Sequence, residues 1–154
     1  MSEEKMRGVY SVLLQIPKDL TLKIGKLGSL SFLGGFYVYT GSAMGPGGIS
    51  KRVSRHLKEK KKMFWHIDYV TDNPRIKVIA VFRAESKQKL ECKVNKSIVL
   101  SLSASIISGF GSTDCQESCG GHLLFLKDAA FQVCLRGIGE AYLESGLNPV
   151  SILV

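Results

Sequence analysis

Tyr37-Val38-Tyr39-Thr40-Gly41-Ser42-Ala43, a turn at Gly45-Pro46-Gly47-Gly48, and then Ile49-Ser50-Lys51-Arg52-Val53-Ser54-Arg55-His56-Leu57 decide how this chain folds. The first segment is aromatic and β-branched, a composition that suits a half-buried strand. The glycine-proline cluster breaks it. Ile49, Val53 and Leu57 then recur every fourth residue, which predicts a helix with those three on its inner side. At about 100° per residue, Arg52 and His56 border that apolar stripe, while Lys51, Arg55 and Lys58 point away. The tyrosines of the strand and the Arg52–His56 edge of the helix are thus expected to face one another.

Outward from this unit, residues 7–16 read as a first strand, with Tyr10, Val12, Leu14 and Ile16 sharing one face by alternation and Pro17 closing it. Leu20-Thr21-Leu22-Lys23-Ile24 and Leu30-Ser31-Phe32-Leu33 flank a glycine-containing turn and predict an inserted β-hairpin. Downstream, residues 64–70 read as a short extended aromatic segment in which His66 and Asp68 share a face. Residues 76–82 read as a buried strand. A helix is expected over 87–102, with Leu90, Val94, Ile98 and Leu102 at four-residue spacing and Glu91 bordering them. Residues 122–126 read as a late strand. The core is expected over about 7–126 of one α/β (α+β) domain, with 127–154 as a C-terminal extension of unassigned role.

The chain has 154 residues, enough for a substantial core, and its hydrophobic share of 45% against 22% charged fits a folded protein. No segment reads as a secretory signal or membrane span, so a soluble, cytoplasmic protein is expected. Lysine and arginine number 21 against 13 acidic residues, a net charge of +8. Lys51, Arg52, Arg55, Lys58, Lys60, Lys61 and Lys62 crowd one helix and its end, a distribution suited to a polyanion such as nucleic acid.

Gly8-Val9-Tyr10 on the first strand, Tyr39-Thr40-Gly41 on the next long strand and Arg52 on the helix after it follow an order that resembles the GIY-YIG nuclease superfamily. The stretches 37–43, 55–57, 65–69, 91–92 and 109–115 are similar to an uncharacterised branch of that superfamily, found in archaea and some bacteria and sometimes fused to endonuclease III-type glycosylases. The resemblance implies a small, mainly antiparallel sheet flanked by helices. It also implies divalent-metal-dependent hydrolysis of phosphodiesters, with DNA as partner and DNA repair as setting. In its terms Tyr10, Tyr39 and Arg52 are catalytic and Glu91 holds one Mg²⁺ or Mn²⁺. Thr40 stands where the second tripeptide usually has isoleucine, and a late asparagine carried by many superfamily nucleases has no evident counterpart.

Those residue types suit the chemistry. Glu91 could supply the single carboxylate that Mg²⁺ often takes from a protein. Arg52 has the planar fork that grips a phosphate. Tyr10 would accept the water's proton if its phenol were acidified, and Tyr39 would orient water or phosphate. His56, one turn beyond Arg52, would move a proton or bind phosphate. Lys51, Arg55, Lys58, Lys60, Lys61 and Lys62 would track the backbone. The alternatives are a nucleic-acid-binding module without hydrolysis and a protein-docking domain that exposes Phe64 and Trp65. Cys115, Cys119 and His122 have the donor types of a zinc site, with Asp114 or Cys134 as a fourth; free or buried thiols are the alternative.

Overall fold

A computed structural model describes residues 6–58, 61–110 and 120–154. At its centre β1 (Gly8–Ile16) runs between two long antiparallel neighbours. β2 (Leu20–Lys23) and β3 (Ser29–Phe32) form the inserted hairpin, a separate two-stranded sheet. β4 (Gly35–Ala43) pairs with β1 from Gly8↔Ala43 to Ile16↔Gly35, and β5 (Lys77–Glu85) pairs with the other edge of β1. β6 (Ser105–Ile107), β7 (Leu123–Leu126) and β8 (Val150–Leu153) complete a sheet of order β6-β7-β4-β1-β5-β8, antiparallel at every pairing. The expected α+β class is therefore what is found.

Strand alternation sends successive side chains to opposite faces, so the sheet divides two cores. On one face Tyr10, Val12, Leu14, Tyr37 and Tyr39 pack with Ile49 of α1 (Gly48–Leu57), with Val70 of α2 (Asp68–Thr71) and with the hairpin through Phe32. On the other, Val9, Leu13, Val38 and Phe82 pack with Val94 and Ile98 of α3 (Glu91–Leu102) and with Ile138 and Tyr142 of α4 (Phe131–Glu144). The C-terminal stretch is thus part of the fold: α4 seals the second core and β8 extends the sheet beside β5. Among the described residues, no helix is long and apolar enough to cross a membrane.

Three expectations need correction. Residues 64–70 are not extended; they turn into α2, so His66 and Asp68 share no strand face. α3 begins at Glu91 rather than 87, because the Ser86 hydroxyl donates to the Gln88 carbonyl and accepts from its N–H, holding a local turn that competes with helix. On α1 the innermost residue after Ile49 is His56, 1% exposed, whereas Leu57 is 45% exposed. Seven residues bring the helix to within about 20° of its starting direction but eight overshoot by about 80°.

Candidate active site

The two glycines that bracket the central strands are there for space. Gly8 lies so close to β5 that a Cβ would sit 2.1 Å from the Ala84 carbonyl oxygen. Gly41 is the cross-strand partner of Tyr10, whose ring leans over it; a Cβ there would sit 2.6 Å from the tyrosine oxygen. Any side chain at 41 would push Tyr10 out of place. With that space free, the Tyr10 hydroxyl lies 2.9 Å from His56 Nε2, joining β1 to the inner face of α1. The Tyr39 ring meets the His56 ring edge-on at 5.7 Å between centroids, and Trp65 lies 6.4 Å beyond His56.

Burial sets the protonation states of this group. Tyr10 is 1% exposed, and desolvation, helped by neighbouring Tyr39, raises its pKa well above the usual 10; the Arg52 charge opposes this without overcoming it. Acidification of Tyr10 by Arg52 is therefore not what the folded chain provides. His56 is pushed down to about 4, first by burial and then by the Lys61 charge, so its ring is neutral near neutral pH. Its Nδ1 has no hydrogen-bond partner among the described residues.

Trp65 forms the outer wall. The Arg52 guanidinium lies 4.7 Å from its ring centroid and that of Arg55 lies 4.9 Å away, both in cation–π range. Arg55 does not point away from the fold as its helical angle suggested: it bonds the Asp68 carboxylate at 2.6 Å and the Lys62 carbonyl at 2.8 Å. The reason is that α2 docks along that side of α1 and presents a fully buried acid. Asp68 Oδ2 also accepts the N–H groups of Phe64 and Trp65. Burial alone would raise its pKa; those hydrogen bonds, led by Trp65 and then Arg55, hold it below the usual value. Lys61 likewise turns inward, its amine donating to the His56 carbonyl and the Thr71 hydroxyl. There it satisfies an open carbonyl in the last turn of α1 and is favoured by the helix dipole. Lys51, Lys58 and Lys62 are exposed, and Lys60 lies outside the described residues.

Glu91 comes from the opposite face, in the first turn of α3, and is 8% exposed. That turn is fastened at the level of the second tripeptide. Thr40 N–H donates to the His122 carbonyl, His122 Nε2 lies 3.2 Å from Cys92 Sγ, and Asn95 Nδ2 donates to the Gly121 carbonyl. Two buried acceptors here, Glu91 Oε2 and, one turn on, Asn95 Oδ1, have no hydrogen-bond partner among the described residues. Residues four apart on a helix lie on one face, about 5–6 Å between Cβ atoms. Asn95 adds a site residue beyond those the motifs indicate, and its four-residue spacing from Glu91 is the sequence signal for it.

The profile of the family described as Domain of unknown function DUF123 matches residues 9–142. The chain belongs to that family. DUF123 is a GIY-YIG-like family, in keeping with the two tripeptides on paired strands. No curated protein and no solved structure matches the chain. The DUF123 chain brings Tyr10, Tyr39, Arg52 and His56 together on the α1 face, while Glu91 approaches from the helix behind the sheet. The threonine in its second tripeptide also has a structural reason. Thr40, Ser11 and Tyr142 are all fully buried, with the Ser11 oxygen 2.7 Å from Thr40 Oγ1 and 2.8 Å from the Tyr142 hydroxyl.

A single Mg²⁺ fits the donors present. A buried carboxylate oxygen without a donor is costly, and a hard cation taken by Glu91 Oε2 would satisfy it, with Asn95 Oδ1, one helical turn away, as a second oxygen donor. Among the described residues, no group of three or more histidine, cysteine and acidic side chains is placed to hold a metal. Of the zinc expectation, Cys115 and Cys119 lie outside the described residues. His122 pairs with Cys92, and Cys134 is buried in the second core with its pKa raised to about 11 by desolvation.

Proposed function

We propose that this DUF123 chain is a divalent-metal-dependent endonuclease of the GIY-YIG type that hydrolyses phosphodiester bonds in DNA, with DNA repair as its setting. The observation that carries this reading is the pair of buried oxygens, Glu91 Oε2 and Asn95 Oδ1, that have no hydrogen-bond partner among the described residues, at the start of the helix fastened beside Tyr39-Thr40-Gly41. Glu91, with Asn95, would hold Mg²⁺ or Mn²⁺, which when bound neutralises phosphate charge and polarises the scissile ester.

The chain's own residues supply the rest. Arg52, partly exposed and stacked on Trp65, presents its guanidinium to a phosphate. Tyr39, at the margin of the buried cluster, orients water or phosphate. His56 takes the proton. With Nε2–H donated to the Tyr10 oxygen, Nδ1 is a neutral acceptor, and a phosphate anion arriving nearby raises its basicity. The water oxygen forms the new bond to phosphorus as the bond from phosphorus to the leaving ester oxygen breaks; the water's proton passes to Nδ1, and the leaving oxygen takes a proton from solvent water to depart as a hydroxyl. Tyr10 is then a positioning residue that fixes the imidazole. Lys51, Lys58 and Lys62 are the exposed cations suited to the flanking backbone.

A second reading, a binding module without hydrolysis, is favoured by the depth of Tyr10 and His56, each 1% exposed. Purified protein with Mg²⁺ or Mn²⁺ and a panel of plain, branched and damaged DNA separates the two. Metal-dependent cleavage lost in Glu91→Ala while binding persists supports the nuclease. Salt-sensitive binding with no cleavage, indifferent to Glu91→Ala, supports the module.

A further inference from the structure

We propose that Phe64 is a stacking platform for an unpaired nucleobase, so that the substrate of the site above is a single-stranded or locally unpaired nucleic acid; this rests on the nuclease reading. Phe64 is 78% exposed, an unusual position for so large an apolar ring. A solitary exposed apolar residue means little by itself. What distinguishes Phe64 is how firmly it is held. Its N–H donates to Asp68 Oδ2 at 2.9 Å, the Trp65 N–H to the same oxygen at 2.8 Å, and Arg55 grips that oxygen at 2.6 Å. A fully buried carboxylate thus fixes the backbone beneath a ring that is mostly open to solvent.

The surroundings state what the ring should meet. Trp65 touches Phe64 edge-on at 5.5 Å and 78°, and Arg52 stacks on Trp65, so the platform stands one ring away from the proposed phosphate-gripping guanidinium. Lys62 and Lys58 are exposed nearby along the chain. An apolar protein surface docking here would have to desolvate those cations, whereas a nucleotide offers an aromatic face to Phe64 and a phosphate to the lysines. Bases within an intact duplex are already stacked on both faces. Away from the duplex ends, only an unpaired, bulged or extruded base has a free face.

The test is fluorescence anisotropy with the full chain, without divalent metal to prevent cleavage, on three labelled DNAs: single strand, perfect duplex, and duplex with one bulged fluorescent purine analogue. Phe64→Ala should weaken single-strand and bulge binding by about tenfold while leaving duplex affinity within about twofold, because one base stack is lost and no charge is. The salt dependence should be unchanged. Phe64→Trp should restore binding, and quenching of the bulged purine by wild type should vanish in Phe64→Ala. Equal affinity of Phe64→Ala and wild type on every probe overturns the proposal and leaves the ring for a protein partner or bare surface. So does a loss equal on duplex and single strand. Wild type binding none of the probes overturns the nucleic-acid reading itself, and this proposal with it.

Discussion

Substitution of His56 by glutamine should remove a defined part of the pH dependence of stability. In the folded chain the imidazole is held to about 4 against an ordinary 6.5, chiefly by burial and next by Lys61, with Arg55 and Arg52 adding to it and Asp68 opposing. Because the folded value is the lower one, the unfolded chain takes up a proton below 6.5 that the folded chain refuses until about 4. Stability is therefore lost as pH falls through that window and is unaffected above it. A shift of about 2.5 units at about 1.4 kcal/mol each amounts to a loss on the order of 3 kcal/mol. In urea unfolding that is a fall of about 1–2 M in midpoint between neutral pH and pH 4.

His56→Gln should start lower at neutral pH, having lost the Tyr10 contact, but its midpoint should decline less across the window by that amount. Whatever is common to the two proteins cancels in the comparison. Asp68 acts elsewhere: its folded pKa lies below the ordinary 3.8, so its contribution is kept through this window and lost only at lower pH. Parallel pH profiles for the two proteins would refute the argument. So would an NMR titration of the folded wild type in which the His56 ring protonates near 6.5.

Four further outcomes follow from the same geometry. Asp68→Asn should lower stability by about 3 kcal/mol in denaturant unfolding, since it leaves Arg55 half-buried without its counterion, and Asp68→Ala should be no better. Gly41→Ala should shift Tyr10 off His56, seen as loss of the His56 ring's distinct NMR environment, because the new methyl would lie 2.6 Å from the tyrosine oxygen. Thr40→Val and Tyr142→Phe should each cost about 1–2 kcal/mol, and the double variant less than their sum, since both act through the Ser11 hydroxyl. Finally, millimolar Mg²⁺ should raise the melting temperature of wild type, the rise should vanish in Glu91→Gln, and Asn95→Leu should diminish it. A metal-induced rise that survives Glu91→Gln would place the ion elsewhere.

Much of the fold was written locally. Tyr10, Val12, Leu14 and Ile16 alternate as a strand facing one core must, and the glycine-bracketed hairpin at 20–33 and the four-residue spacing of α3 were equally direct. What could not be read depended on partners distant in sequence. Lys61 and Arg55 have the composition of a solvated basic face, and only the docking of α2 turns them inward onto Thr71 and Asp68. A long flexible side chain reaches well past its helical angle, so an angular argument cannot assign its destination. Residues 127–154 carry three glycines, two of them inside α4, that mask the helical spacing of Phe131, Cys134, Leu135, Ile138, Ala141 and Tyr142, the face α4 packs against α3 and the second core. Context overrides propensity there.

The alternation of the two tripeptide strands also explains why the C-terminal stretch bears on the site. Tyr10 and Ser11 are neighbours, as are Tyr39 and Thr40, and the pleat sends each pair to opposite faces. The tyrosines meet His56 on one side. The hydroxyls of Ser11 and Thr40 meet each other on the other side, and Ser11 meets Tyr142 of α4. A threonine in place of a branched hydrocarbon at position 40 is thus tied to a serine and a tyrosine far apart in sequence, and the three form one satisfied buried network. Removing α4 would leave Ser11 and Thr40 facing solvent or void directly behind the tyrosines. The register that sets Tyr10 over Gly41 would then rest on backbone pairing and the first core, without the second. The packing of the distant helix and the geometry at His56 are for that reason coupled, and a change at Tyr142 should register in the His56 ring as well as in global unfolding.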